Sequence, residues 1–315
     1  MKKVLLTGAT GFIARFAVPF LLQRGYEVHA VFHNRKPISG SVAHLFWHQC
    51  DLLNKAEQKK LFELLRVTHF LHFAWNVDHE TYLVSPANEL WQVASFEMLK
   101  NFRQGGGQRA VLAGTCFEYD LTFGGRLKEG AALKPASLYG ASKVRLHEEM
   151  EDYAAQEKLS CAWGRIFFLY GPHERSTRFV PGLINSFLKG ETARCRHGHL
   201  LRDFLYVEDV ASAFVALLDS PVCGAVNIGS GISRSLGGIA RDIACRFSKD
   251  GTTWLTVDHL PTHDPLSIVA DVTRLKSEVG WSPSVDWTEG MAKTIAWWKQ
   301  RLKECKNEST DQAKN

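Results

Sequence analysis

The stretch Lys3-Val4-Leu5-Leu6-Thr7-Gly8-Ala9-Thr10-Gly11-Phe12-Ile13-Ala14 constrains the fold of this chain more than any other. A short apolar run ends in glycines, and helical spacing (Ile13, Ala17, Phe20, Leu21) begins directly after them, so it reads as strand, tight turn and helix. Glycines at such a turn let the backbone approach a pyrophosphate, and the helix start offers unpaired N–H groups and a positive dipole. Ala14 fills the small third position that close packing of helix on sheet requires. The spacing is G-x-x-G-x-x-A rather than G-x-G-x-x-G, so the strand–turn–helix setting carries the reading. Gly8, Thr10, Gly11, Phe12 and Ile13 are the expected dinucleotide contacts. Pro19 predicts a kink in the helix, Gly25 ends it, and Glu27 to Phe32 forms a second strand.

The alternation continues. Helices are expected over Glu57–Leu65, Glu89–Arg103 and Leu138–Lys158, and strands over His69–Ala74, Arg109–Ala113 and Ser160–Phe168. That pattern implies an α/β fold, a mostly parallel sheet covered on both faces. Beyond Pro172 the pattern loosens. Phe179–Lys189, Asp209–Leu218 and Trp287–Leu302 read as helices and Ala225–Ile228 as a strand, and the polar end from about Lys303 reads as a frayed tail. With 45% hydrophobic and 23% charged residues, the 315-residue chain has the composition of a globular protein. A formal charge of +5 favours small anions, and no Lys/Arg run is dense enough to predict nucleic-acid binding. The seven cysteines are irregularly spaced and lack C-x-x-C, which suggests reduced thiols in a cytoplasmic protein. The apolar run after Lys3 is too short for a signal peptide or a membrane span.

The end of the second strand selects the cofactor. A carboxylate there accepts from the ribose 2′-OH of NAD, whereas arginine accommodates the 2′-phosphate of NADP. The chain reads His33-Asn34-Arg35-Lys36, with two cations and no acid. NADP(H) is therefore favoured over NAD, with Arg35 the first candidate, Lys36 the second and Asn34 beside them; the alternative is that both cations face solvent. In Asp51-Leu52, Asp51 is placed either to accept from the adenine amino group or as an ordinary surface acid.

Tyr139 and Lys143 stand four residues apart, on one face of the predicted helix and one turn apart. A free phenol, with a pKa of about 10, is a poor acid–base catalyst at neutral pH. A neighbouring cation can lower that value by about 1–3, and Lys143 together with the charge of an oxidised nicotinamide is expected to do so. Tyr139 is thus the expected proton donor or acceptor in a hydride transfer, and Lys143 its support. Thr115, after Gly114, offers a hydroxyl to hold the substrate oxygen, although a threonine at a strand end also serves structure. No metal site is expected.

With these residues assembled, the chain resembles the extended short-chain dehydrogenase/reductase family, in particular its nucleotide-sugar epimerases, dehydratases and reductases. Besides Thr7–Ala14 and Tyr139–Lys143, the likeness includes Gly164-Arg165-Ile166-Phe167-Phe168-Leu169-Tyr170-Gly171-Pro172, Arg202-Asp203-Phe204-Leu205-Tyr206-Val207-Glu208-Asp209-Val210-Ala211, Asn227-Ile228-Gly229-Ser230-Gly231 and Gly280-Trp281-Ser282-Pro283. The resemblance implies a Rossmann-like doubly wound parallel sheet with a smaller C-terminal α/β substrate domain. Residues 1–172 with about 205–232 would bind NADP, 173–204 and 233–302 would bind a nucleoside-diphosphate sugar, and 303–315 would be a polar tail. A homodimer through helices near 89–103 and 138–157 is implied, with Phe73, Ala74 and Trp75 as further cofactor contacts and Asn88 close to the site. It implies Thr115, Cys116, Phe117, Arg178, Phe179 and Arg202 as substrate contacts, with His263 a further candidate; His197 and His199 lie near Arg202.

Departures from the family pattern narrow the chemistry. The 4,6-dehydratases carry Thr-Asp-Glu where this chain has Thr115-Cys116-Phe117, so elimination lacks its usual acid and base. Bifunctional epimerase/reductases place a catalytic cysteine two residues before the tyrosine matching Tyr119, where this chain has Phe117. Cys116, one place off, reads as a packed thiol rather than a base. Phe168 stands where asparagine is common. With the cations after Asn34, these features point to an NADPH-dependent 4-ketoreductase of a 4-keto-6-deoxy nucleotide sugar, the alternative being an epimerase without net redox change.

Overall fold

In a computed structural model, which describes residues 2–34, 42–78, 80–248 and 254–312 (306–312 by backbone alone), the chain runs β1 (Lys3–Thr7), α1 (Ala14–Gln23), β2 (Glu27–Phe32), β3 (Leu45–Gln49), α2 (Lys55–Leu65), β4 (His69–His72), α3 (Ala87–Gln104) and β5 (Arg109–Thr115). A single 3₁₀ turn (Cys116–Glu118) follows, then β6 (Gly125–Leu127), α4 (Leu138–Glu157), β7 (Ser160–Ile166) and β8 (Phe168–Tyr170). The remainder is α5 (Phe179–Lys189), β9 (Ala193–Cys195), β10 (Leu201–Tyr206), α6 (Val207–Asp219), β11 (Gly224–Ile228), β12 (Ser233–Ser235) and α7 (Leu236–Cys245). It closes with β13 (Leu255–Val257), β14 (Ser267–Ala270), α8 (Thr273–Ser277) and α9 (Trp287–Gln312).

Seven parallel strands form one sheet in the order β11-β7-β5-β4-β1-β2-β3. This is the Rossmann order, and it reverses beside β1, which pairs with β2 on one side and β4 on the other. Alternation along β1 assigns the faces: Val4 and Leu6 pack with Ala17 and Leu21 of α1 and Phe214 of α6, while Leu5 packs with Phe62, Met98, Phe102 and Leu146 of α2, α3 and α4. The capping signals are local. Asn54 accepts from Ala56 N at 3.0 Å to start α2, and Ser137 from Gly140 N at 3.1 Å to start α4.

A second sheet, β12-β10-β14-β6 with β8 on β10, carries α5, α7 and α9 on a third core that includes Ile184, Ile243 and Met291. Phe12, Ile13 and Phe16 pack against that core, which places the dinucleotide turn under the C-terminal elements. Two acids of the Arg202–Ala211 motif staple the bodies. Asp203 accepts from Ser230 N, Gly231 N and Ala270 N at 2.8, 2.9 and 3.0 Å, and Asp209 from Ser284 N and Val285 N at 3.0 and 3.1 Å.

Two local expectations change. The strand expected over Ser160–Phe168 ends at Ile166, and β8 leaves to pair with β10. The end expected to fray continues α9 to Gln312, in keeping with the helix propensity of its Lys, Glu and Gln residues. None of the cysteines is in a disulfide, and among the described residues no His/Cys/Asp/Glu group could hold a metal. No helix of the described residues is long and apolar enough to cross a membrane.

Candidate active site

The β1–α1 turn requires glycine at Gly8. Its φ of 66° is left-handed, and a Cβ there would lie 2.9 Å from Ala74 N, at the end of β4. Gly11 N donates to Gly8 O at 2.7 Å, which closes the turn. No side chain caps the start of α1 at Ile13, so the first-turn amides of Phe12 and Ile13's helix suit a phosphate. Thr7 Oγ1 hydrogen-bonds with His72 Nδ1 at 2.7 Å, and His72 Nε2 with Ser95 Oγ at 2.9 Å. Burial pushes His72 down to about 3, so it acts as a neutral strut between β1 and α3. Phe73 packs edge-on against Phe214, and Trp75 follows at the site itself. The residues present fit a dinucleotide across the sheet's switch point.

At the end of β2, Asn34 is exposed and His33 stands 3.9 Å from Asp51. The Asp51 carboxylate accepts from Leu53 N at 3.0 Å, and Leu52 is buried in the core. Arg35 and Lys36 lie outside the described residues.

Thr115 ends β5, and Tyr139 and Lys143 lie in the first two turns of α4. Burial raises the Tyr139 phenol, with Tyr82 and Glu118 adding to the rise and a hydrogen bond with Thr115 opposing it. Lys143 is not among the groups that shift it in the protein alone, without the nicotinamide charge on which the expected lowering also relied. The reason is geometric. The Lys143 ammonium donates to Ala113 O at 2.8 Å and sits 3.5 Å from the centre of the Trp75 ring. Burial pulls Lys143 down to about 7. Tyr139 is therefore an acid with its proton on, paired with a lysine poised to change charge near neutrality.

Asn88 holds this arrangement without facing it. It accepts from Trp75 Nε1 at 2.8 Å and donates to Tyr82 O and Ser85 O at 2.6 and 2.9 Å. Tyr82 meets Tyr139 edge-on, ring centres 5.1 Å apart, and Tyr139 N donates to Leu83 O at 3.0 Å.

Beneath Thr115 lies a network that the sequence reading missed. Glu118, fully buried, accepts from Thr115 N at 2.7 Å, Trp163 Nε1 at 3.0 Å and Arg165 Nε at 2.6 Å. Arg165 also donates to Tyr119 Oη at 3.2 Å and Glu129 O at 2.9 Å. Burial works against both charges, yet Glu118 and Tyr119 leave the guanidinium above its ordinary value. A Cβ on Gly114 would lie 2.1 Å from Trp163 Nε1, so glycine there admits the indole. The available signal was Arg165 itself, since an arginine inside a central strand needs a buried acid.

The expected substrate residues separate into two groups. Phe117, Phe168, Phe204 and Phe179 form a chain of ring contacts at 6.2, 5.6 and 6.3 Å, with the Arg202 guanidinium 5.6 Å from Phe168. Arg178 lies apart from them, 5.5 Å from the Tyr82 ring. Cys116 is buried in the core and its thiol is pushed up to about 12 by burial, as a packed thiol should be. His199 packs against His259 and His197, and His263 is exposed.

Residues 4–229 match the model of the family described as NAD dependent epimerase/dehydratase. The chain belongs to that family. Its relatives include a dTDP-D-glucose 4,6-dehydratase of Mus musculus, 25% identical over 97% of this chain and 91% of the relative. A dTDP-6-deoxy-L-talose 4-dehydrogenase (NAD(+)) of Aggregatibacter actinomycetemcomitans is 27% identical over 74% of this chain and 86% of its own. Among solved structures, a Thermus thermophilus UDP-glucose 4-epimerase complex with NAD superposes with a TM-score of 0.79 at 25% identity, covering 94% of this chain and 99% of the other.

Proposed function

We propose that the chain reduces the C4 carbonyl of a 4-keto-6-deoxy nucleoside-diphosphate sugar, using NADPH. The observation that carries this reading is a protonated Tyr139 beside Thr115 with no acid available next to them for elimination. Cys116 is packed in the core, Phe117 belongs to the aromatic chain, and Glu118 is spent on Arg165. A bound nicotinamide dinucleotide supplies the hydride. As C4 is reduced, charge grows on its oxygen, where Tyr139 delivers the phenolic proton and Thr115 donates a hydrogen bond. Lys143, below Trp75, holds the dinucleotide ribose and supports the phenolate that remains. Arg202 and Arg178 supply cations for the diphosphate, and Phe179 with Phe117 walls the sugar. The preference for NADP(H) rests on Arg35 and Lys36 in the sequence. The talose dehydrogenase relative is named for net redox chemistry at C4, in the oxidative direction and with NAD(+), and so supports C4 as the reacting carbon. Exposed Leu90 and Val93 on α3 support a homodimer through α3 and α4.

The alternative is epimerisation at C4 with no net redox change, favoured by the likeness to the Thermus 4-epimerase. One assay separates them. Stoichiometric NADPH oxidation with a 4-keto-6-deoxy dTDP- or UDP-sugar is expected, and sugar interconversion without it would replace reduction by epimerisation. Tyr139→Phe should lower turnover by about 10²–10⁴ while leaving the fold intact. Unchanged turnover in that variant would remove Tyr139 from the mechanism.

A further inference from the structure

Glu174 is the buried acid that the mechanism above does not use. It lies in the turn between β8 and α5, is 9% exposed, and its Oε2 has no hydrogen-bond partner. Among the described residues no cation lies within ion-pairing distance of it; Arg178 acts on it only through its field. Its turn is bound to the segment whose Tyr82 packs against Tyr139. Arg175 donates to Asp78 Oδ1 at 2.9 Å, Arg178 stacks on Tyr82, and Tyr82 packs edge-on against Tyr139. The other titratable neighbour on the turn is His173, which packs against Phe16 and Trp297 on the far side.

A buried carboxyl oxygen without a partner is costly unless a ligand completes it. We infer that Glu174 is a specificity-determining residue that hydrogen-bonds a hydroxyl of the sugar ring held before Tyr139, with Arg178 beside it taking the diphosphate. The inference rests on the nucleotide-sugar reading above. Burial raises the Glu174 carboxyl to about 8, with Arg178 and the Gly171 backbone opposing, so at neutral pH it carries a proton to donate. Such an acid prefers a sugar oxygen that accepts, and it would lose that contact as it ionises.

Calorimetric titration of the dinucleotide-loaded protein with UDP, dTDP, UDP-glucose and dTDP-glucose tests this. Glu174→Ala should weaken the preferred nucleotide sugar about tenfold, the worth of one hydrogen bond, and leave its nucleotide diphosphate within about twofold. Glu174→Gln, which keeps a donor in place, should bind nearly as tightly as the parent at pH 7. It should also hold its affinity up to pH 9, where the parent weakens. Equal effects on sugar and diphosphate, or none on either in both variants, would overturn the inference alone. A parent protein that binds none of the four would overturn the nucleotide-sugar reading, and this inference with it.

Discussion

Glu118 and Glu174 are both buried carboxyls near an arginine, one under the end of β5 and the other in the turn after β8, yet their surroundings differ in kind. Both oxygens of Glu118 are filled by Thr115, Trp163 and Arg165, and Arg165 is in turn filled by Tyr119 and Glu129. Such a network fixes one arrangement and has no capacity left for a ligand. Glu174 has an orphaned oxygen, and its arginine stands on the Tyr82 ring instead of on the carboxylate. The completed network holds the strand end that presents Thr115. The incomplete one leaves a buried oxygen of Glu174 without a partner.

The largest effect should come from cutting the completed network. Glu118→Ala leaves Arg165 charged, buried and unpaired, and should cost about 3–5 kcal/mol in urea-induced unfolding. A loss under about 1 kcal/mol would mean that the network does not hold the strand end. Next comes the pH dependence of the incomplete site. Glu174 in the fold holds its proton up to about 8, whereas the unfolded chain releases it near 4.5, so its contribution to stability is complete below pH 4.5 and is lost as pH rises through 8. Glu174→Gln should therefore match the parent in thermal unfolding at pH 4 and exceed it at pH 9. Lys143 has the opposite sense. Its depressed value near 7 means that stability present above 10.5 is lost as pH falls through 7, so Lys143→Met should gain on the parent from alkaline to neutral pH. Parallel melting profiles for parent and variant would refute either assignment.

The sequence made the first sheet readable because its signals are local. The turn glycines, the apolar strands and the caps at Asn54 and Ser137 act within a few residues of themselves. Tyr139 and Lys143 were readable for the same reason, four residues apart on one helix. Contacts made across the fold were not. Glu118 meets Arg165 from 47 residues away, and nothing at position 118 announces a partner in β7. The Lys143 ammonium meets Ala113 and Trp75, which come from the ends of two separate strands, and nothing at position 143 announces either partner. Arg178 and Arg202 both read as substrate contacts, yet one lies on Tyr82 and the other on Phe168. Periodicity locates elements, whereas the state of an ionisable group depends on which elements meet.

The smallest effect on stability, and the sharpest contrast between the two acids, should come from Arg178→Gln. Arg178 is half-buried and makes no ion pair within 4 Å among the described residues; its visible interaction is with the Tyr82 ring at 5.5 Å. A cation–π contact of that kind contributes about 0.5–1 kcal/mol, so thermal unfolding should change little. The Glu174 carboxyl, however, loses the cation that opposes its burial. Its ionisation should move to higher pH, and the gap in melting temperature between Arg178→Gln and the double variant with Glu174→Gln should open later along the alkaline series than the gap between the parent and Glu174→Gln. The matching removal at the other acid, Arg165→Gln, should instead cost several kcal/mol, because there the guanidinium completes hydrogen bonds that nothing else can make. If Arg178→Gln proved as costly as Arg165→Gln, the two acids would share one structural role, and Glu174 would belong to the scaffold.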